Sequence, residues 1–381
     1  MTDHIPGEVS PVGRDLRAYT DELRPEHPIV QNDRGEWVLL RHDLVRRAAL
    51  DPDTFSSATS RFRQVPNGLD GPEHARVREA LDPLLSLDAL TRHVPVFESV
   101  AADLVASLPR GTQVDAVNGI GAVFAVRAQS AWLGWPADVE ERLLSWMSEN
   151  YEATRSGTFE RTRQVAEDFD DIIRTILDGR LPDPSPEADV TDQLLAVTVD
   201  GAPLAGADVI SVLRNWTGGD LGSIALCAGV LLHELTQAPA LQARLREGVS
   251  DAELDAIIDE LLRRDSPFIG NRRVTTCPVE LGGVSIPAGA KIKLHWTSAN
   301  RDEQVFGDPD GFEPEAHAPH NLVYGIGAHV CPGRDLATIE LRTLVRAIIT
   351  GTRSLTADPT TPPVREVAPV GGWASVPVIL G

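Results

Sequence analysis

The chain has 381 residues, 42% of them apolar and 24% charged, with 56 acidic against 35 basic side chains and a formal charge of -21. Such a surface repels phosphate backbones and anionic lipid headgroups, which argues against nucleic acid and membrane surfaces as partners. No apolar run approaches bilayer length and the N-terminal MTDHIPGEVSPVGRD has no signal-peptide core, so a cytoplasmic protein is expected.

In chain order, GEWVLL (Gly35 to Leu40) has a short strand pattern and RHDLVRRAAL (Arg41 to Leu50) helical spacing of its apolar residues. Asp51 to Gly71 mixes Ser, Arg, Pro, Asn and Gly and reads as a long loop, a kind of segment that is often functional. Pro72 to Leu85 opens with Pro and Glu at a helix N-terminus and sets Val77, Leu81 and Leu84 at helical spacing. Amphipathic helices follow to Leu177, and the Pro/Asp-rich Asp178 to Asp192 reads as a surface loop. Asp208 to Thr236 is the longest apolar helix, carrying Gly218, Gly219 and Gly222, which weaken a helix, and a charge, Asp220, in its middle. Asp251 to Pro267 is a helix ending at Ser-Pro, Val279 to Leu294 a hairpin about a Gly-Gly pair, and Arg334 to Ile349 a helix with Leu336, Leu341, Leu344, Val345 and Ile348 on one face. The pattern is mainly α, of α+β type with small sheets.

Cys227, Cys277 and Cys331 form no CxxC and supply neither a disulfide framework nor a Cys-rich zinc or iron-sulfur site. Cys331 lies in YGIGAHVCPG, where Gly325, Gly327 and Gly333 permit unusual backbone and close approach of a ligand, and a following helix N-terminus favours thiolate. Three readings of it are open: a buried thiol in a Gly-rich turn, a nucleophile with His329 as base, or an axial thiolate on haem iron. His329, two residues away in an extended loop, points to the opposite side for a base.

The string resembles the cysteine-ligand loop of the cytochrome P-450 family, with Tyr324 in the usual Phe position and Gly325, Gly327, His329, Cys331 and Gly333 matching. Further similarities follow the family's order. ELLR supplies the Glu-x-x-Arg pair as Glu260 and Arg263. GPEHARVREAL resembles the propionate-binding helix with His74 and Arg78, and RVTTCPVELGGVSIPAG the later strand with Arg273. The resemblance implies one helix-rich triangular domain over 1–381 with haem b (iron protoporphyrin IX) between the central helix and the Cys-loop helix. Cys331 would be the iron ligand, and His74, Arg78, Arg273 and His329 would meet the propionates; Arg76 and Arg272 are read as surface residues. Burying two haem carboxylates in an acidic protein requires such cations.

The chain departs from the family in places. TGGDLGS aligns Asp220 with the family's proton-delivering acid and Leu221 with its threonine, so the hydroxyl is missing there, and LRNWTGGDLGSIA is similar to haem domains of bacterial self-sufficient enzymes. Asp220 is expected to carry the proton relay, with Thr217 one turn earlier or a substrate hydroxyl, against the reading of an acid bonded at a helix kink. Pro332, where the family often has Leu, removes an N–H near the sulfur. In FEPEAHAPH the family's arginine is missing, with Ala316 near its place, which leaves the Glu260–Arg263 pair without a third member. The resemblance implies a soluble bacterial-type monooxygenase inserting one atom of dioxygen into a small organic substrate, monomeric, with electrons from a separate ferredoxin or flavodoxin and reductase. Arg334 and Arg342 offer a docking patch, or are ordinary helix residues. The pocket wall is expected from Arg61 to Leu69, Trp216 and Leu221, Phe268 and Ile269, and the turn near Trp373; Arg61, Arg63 and Arg214 are candidate holders of a substrate carboxylate. A peroxide-driven peroxygenase and a haem-binding sensor or carrier without turnover are the alternatives.

Overall fold

The computed structural model describes residues 4–5, 15–32, 34–60 and 63–381. Helices dominate, and the central one organises the rest. It runs Gly206–Leu213, passes through a π-helical turn at Arg214–Gly218 and continues as Gly219–Gln237. The expected single helix is therefore interrupted where its glycines begin and where Asn215 Nδ2 leaves the helix to donate to Val65 O at 2.8 Å. Beyond Ser223 nearly every residue to Leu235 is buried, as a helix apolar on all sides requires.

Around it pack Val94–Ser107, Ala122–Leu133, Asp251–Arg264 and Arg334–Gly351, which with the central helix hold the main core. One crossing is closer than ordinary side chains allow. A Cβ on Gly121 would stand 2.8 Å from Ala225 O and 2.9 Å from its Cα, so any larger residue there forces the backbones apart.

A second, smaller core lies beneath a six-stranded sheet ordered His4–Ile5, Ile29–Asn32, Trp37–Leu39, Lys291–His295, Gly270–Thr275 and Phe55–Ser56. Trp37–Leu39 runs parallel to Lys291–His295, pairing Trp37 with Ile292, and Gly270–Thr275 runs antiparallel on the other side. The sheet thereby brings Arg273 toward the helix Gly71–Leu81.

Several expected elements end elsewhere. The helix from Pro72 closes at Leu81, and Asp82–Leu85 is 3-10, because Pro83 has no N–H to continue the ladder. The long loop after Asp51 contains the short strand Phe55–Ser56. The Gly-Gly hairpin forms as expected, Val284 facing Leu281 with Gly282 and Gly283 at φ 55° and 80°. Asp178 to Asp192 is a surface connector held by Arg180, whose Nη1 lies 2.8 Å from Asp189 and 2.9 Å from Asp192. Among the described residues no single helix is long and apolar enough to cross a membrane.

Candidate functional site: a cysteine loop facing the central helix

The loop Tyr324–Gly333 folds back on itself through a bond from Cys331 N–H to Tyr324 O at 2.9 Å. Gly325 and Gly327 take φ of 71° and 81°, and a Cβ on Gly327 would meet Ala49 O at 3.0 Å. Gly333, by contrast, has an ordinary φ of -86° and serves as the residue before the helix Arg334–Gly351. Cys331 is exposed although protein surrounds it on most sides.

Burial pushes the Cys331 thiol above its usual range, against the Gly333 N–H that donates to the sulfur and the more distant Arg78 and Arg334. The helix N-terminus thus does not ionise this sulfur on its own, contrary to the expectation from sequence. A coordinated metal cation deprotonates a thiol outright. Among the described residues no cluster of three His, Cys, Asp or Glu side chains could hold a metal, so such an ion would rely on Cys331 and a non-protein scaffold.

Beside the loop four donors converge from three elements. The rings of His74 and His329 are 4.1 Å apart, and Arg78 Nη1 donates to Val330 O at 3.1 Å while its Nε meets Asp82 at 2.6 Å. Arg273 is 9% exposed and donates to Arg272 O at 2.8 Å; among the described residues no carboxylate lies within ion-pair distance of it. Burial lowers its affinity for the proton, with Asp70 opposing. Burial also pushes His329 down to about 4, helped by His74 and Arg273, and lowers His74, helped by Arg78. Two acids adjoin the cluster: Asp82 on Arg78, and Asp70, which accepts from Ser56 Oγ, the Ser57 N–H and His329 Nε2, the last at 3.1 Å. A buried cation without a counter-charge is costly, and a ligand bearing carboxylates offsets that cost. Arg76 and Arg272 point elsewhere and pair with Asp200 and Glu36.

On the central helix, the otherwise buried surface opens at Gly219, which is exposed, with nothing within 4 Å of a Cβ built there. Leu221 is fully buried in the main core, whereas Ser223, one turn after Gly219, presents its hydroxyl on the open side and donates to Gly219 O. On this stretch the hydroxyl on the open side is therefore that of Ser223, two residues after Leu221. Thr217 is buried and donates to Leu213 O at 2.5 Å, so it bonds its own helix rather than Asp220. Asp220 instead reaches Gln129 Nε2 and faces Glu340. Burial pushes Asp220 up to about 7 and Glu340 well above the usual carboxylate range, the latter also because Asp220 is beside it.

A flat ligand between this open stretch and Cys331, with carboxylates toward Arg273, fits all three features: a cradle at Gly219, an exposed cysteine and an uncompensated cation. The family model described as Cytochrome P450 matches residues 223–366. Relatives include a cyclomarin C epoxidase from Salinispora arenicola, 27% identical over 86% of this chain and 87% of its own. An erythromycin C-12 hydroxylase from Saccharopolyspora erythraea is 26% identical over 93% and 91%. The open form of a cytochrome P450 from S. erythraea superposes with a TM-score of 0.83 at 26% identity, over 100% of this chain and 98% of that one. The chain belongs to the cytochrome P450 family. A cytochrome P450 from Chondromyces apiculatus, 22% identical, shares the fold at a TM-score of 0.87 over 100% of this chain and 99% of that one.

As in the family pattern, Glu260 and Arg263 pair, at 2.8 and 2.9 Å through two Arg263 nitrogens. The third member absent from sequence is His317, one residue after Ala316, whose Nδ1 lies 2.7 Å from Glu260 Oε1. Arg263 also reaches Asn300 O at 2.8 Å and Gly311 O at 2.9 Å, so this P450 ties the helix before the sheet to the segment leading into the cysteine loop.

Other expected roles find their side chains occupied. Arg63 meets Glu73 at 2.9 Å and Asp208 at 3.1 Å, and Arg214 meets Asp170 at 2.7 Å, so neither is free for a substrate carboxylate; Arg61 lies outside the described residues. Arg342 is held by Asp255 at 2.5 Å and Arg334 by Asp259 at 3.5 Å, which neutralises the expected docking patch. Of the expected pocket wall, Leu221, Ile269, Trp216 and Trp373 are buried; Phe268 is half-buried, its carbonyl accepting from Thr297 Oγ1 at 3.1 Å.

Proposed function

We propose that this cytochrome P450 monooxygenase binds haem b through Cys331, as one haem-thiolate domain over 1–381, and oxidises a small apolar organic molecule in the cytoplasm. The observation that carries the reading is Arg273: buried, cationic and, among the described residues, without a carboxylate partner, beside His74, Arg78 and His329 and next to an exposed cysteine. These four would hold the haem propionates, and the absence of a CxxCH attachment motif supports a non-covalent haem. Thiolate-ligated haem supplies the activation of dioxygen, of which one atom enters the substrate.

The protein's own part is to position and to manage protons. Gly219 keeps the central helix open for the substrate and oxygen; Ser223, hydrogen-bonded to Gly219 O, presents a hydroxyl there. Asp220, with a proton affinity matched to neutral pH, holds and returns a proton at its carboxyl. Electrons come from a separate ferredoxin or flavodoxin with its reductase. The names of the relatives, an epoxidase and hydroxylases of natural products, support oxidation of a carbon framework. The peroxygenase alternative drew on a missing hydroxyl at Leu221; the hydroxyl of Ser223 on the open side of the helix favours the oxygen-driven reading. The test is turnover of a candidate substrate with labelled dioxygen and a surrogate ferredoxin system: one labelled atom in the product is expected, and product formed with peroxide but not with reductant and oxygen would refute it.

A further inference from the structure

Three helices meet at a buried polar cluster that the proton-handling of Asp220 does not by itself explain. Glu340, from the helix that starts just after Cys331, and Gln129, from Ala122–Leu133, are both 0% exposed. Gln129 Nε2 donates to Asp220 Oδ2, while Gln129 Oε1 and both oxygens of Glu340 meet no donor. A fully buried carboxylate is an acceptor only, and one that faces another carboxylate without any donor is untenable. A proton on either acid turns the contact into a donor–acceptor pair.

We propose that Asp220 and Glu340 form a shared-proton store, Gln129 positioning Asp220, that holds one proton when the iron is oxidised and takes up a second from solvent when one electron enters the iron. The inference rests on the reading that Cys331 ligates haem. The electron comes from the external donor, the proton from water, and the pair passes from singly ionised to neutral; no other bond changes.

The coupling follows from charge. Asp220 acts on the Cys331 sulfur through space, raising its proton affinity, and the effect is reciprocal: negative charge added at the sulfur and iron raises the proton affinity of the pair. Few other groups intervene. Among the described residues of the central helix, the Cys227 thiol feels Asp220, and it too is pushed up by burial. Arg78 and Arg334 act on Cys331, and Asp259, from Asp251–Arg264, on Cys227 and Tyr324, not on the pair. The strands packed on the central helix, Leu355–Ala357, Trp373–Ser375 and Pro377–Leu380, carry no ionisable side chain. Because Asp220 titrates near 7 in the resting protein, uptake on reduction begins there and extends upward in pH.

The experiment is a spectroelectrochemical titration of the haem-loaded protein from about pH 6 to 9, for wild type, Glu340→Gln and the double variant Asp220→Asn with Glu340→Gln. One proton per electron is a tenfold change in the reduction equilibrium per pH unit, about 59 mV. Wild type is expected to be flat on the acid side of about pH 7 and to fall with rising pH above it. E340Q takes away a carboxyl that lowers the proton affinity of Asp220 and so moves the bend to higher pH, and the double variant removes it. A wild-type potential that is flat throughout, or a double variant with the wild-type slope, overturns the proposal. Infrared difference spectra between oxidised and reduced wild type supply a second readout that needs no variant to fold: a protonated-carboxyl band should grow on reduction, and its absence also overturns the proposal. Failure of the underlying reading would show separately, as a reduced carbon monoxide complex without thiolate character.

Discussion

Exchanging His317 for alanine tests whether a histidine completes the Glu260–Arg263 pair. Arg263 is 0% exposed and distributes its donors over Glu260, Asn300 O and Gly311 O, so its charge is balanced by Glu260 alone. Glu260→Gln leaves a buried cation facing carbonyls, and breaking a buried pair in this way costs about 3–5 kcal/mol. His317→Ala leaves the ion pair but removes one 2.7 Å bond to a charged group, a loss of about 1.5–3 kcal/mol. At ~2.1 cal/mol/K of unfolding entropy per residue, a chain of this length has roughly 0.8 kcal/mol/K in total, so Tm falls by about 4–6 °C for E260Q and about 2–4 °C for H317A. Thermal melts followed by circular dichroism read both. In the E260Q background H317A should cost at least 1 kcal/mol less, since its partner charge is gone. An H317A protein that melts with wild type, or additive losses in the double variant, would refute a third-member role for His317.

Further outcomes are expected at the site. Asp220→Asn should slow oxygen-driven turnover about 10²-fold and raise peroxide release, read by product and peroxide assays; equal coupling in the variant would sink the relay. Ser223→Ala should likewise raise peroxide per product, whereas Thr217→Ala should leave that ratio unchanged, since Thr217 is fully buried and Ser223 is on the open side. Pro332→Leu restores an N–H beside a sulfur that now accepts from Gly333, and should raise the iron reduction potential; an unchanged or lower value counts against that electronic role. Arg273→Leu removes the unpaired buried cation and should speed haem transfer to an acceptor apoprotein about 10- to 100-fold.

What the sequence made legible was local. The Gly-Gly hairpin, the helix after Cys331 and the left-handed glycines at 325 and 327 follow from short-range chemistry, and the structure forms them. The convergence of His74, Arg78, Arg273 and His329 was readable only through resemblance, because three separate elements bring them together. Ser223 was missed because the resemblance drew attention to Leu221, while which side of the helix is open shows only in three dimensions. Glu340 did leave a signal: it stands one turn after Leu336 and one turn before Leu344, a charge on the apolar face of its helix. Gln129, between Ala125 and Leu133, is the same kind of polar intrusion. His317 was hidden by a shift of one residue from the expected arginine. Arg63, Arg214 and Arg342 show the converse: free cations on paper, each already matched by an acid distant in sequence.

The most direct measurement is the difference spectrum of the reduced carbon monoxide complex, taken on wild type and on Cys331→Ala after haem loading. Wild type should show the signature of thiolate ligation, and Cys331→Ala should lose it while Cys227→Ala and Cys277→Ala keep it. Retention of that signature without Cys331 would contradict the account.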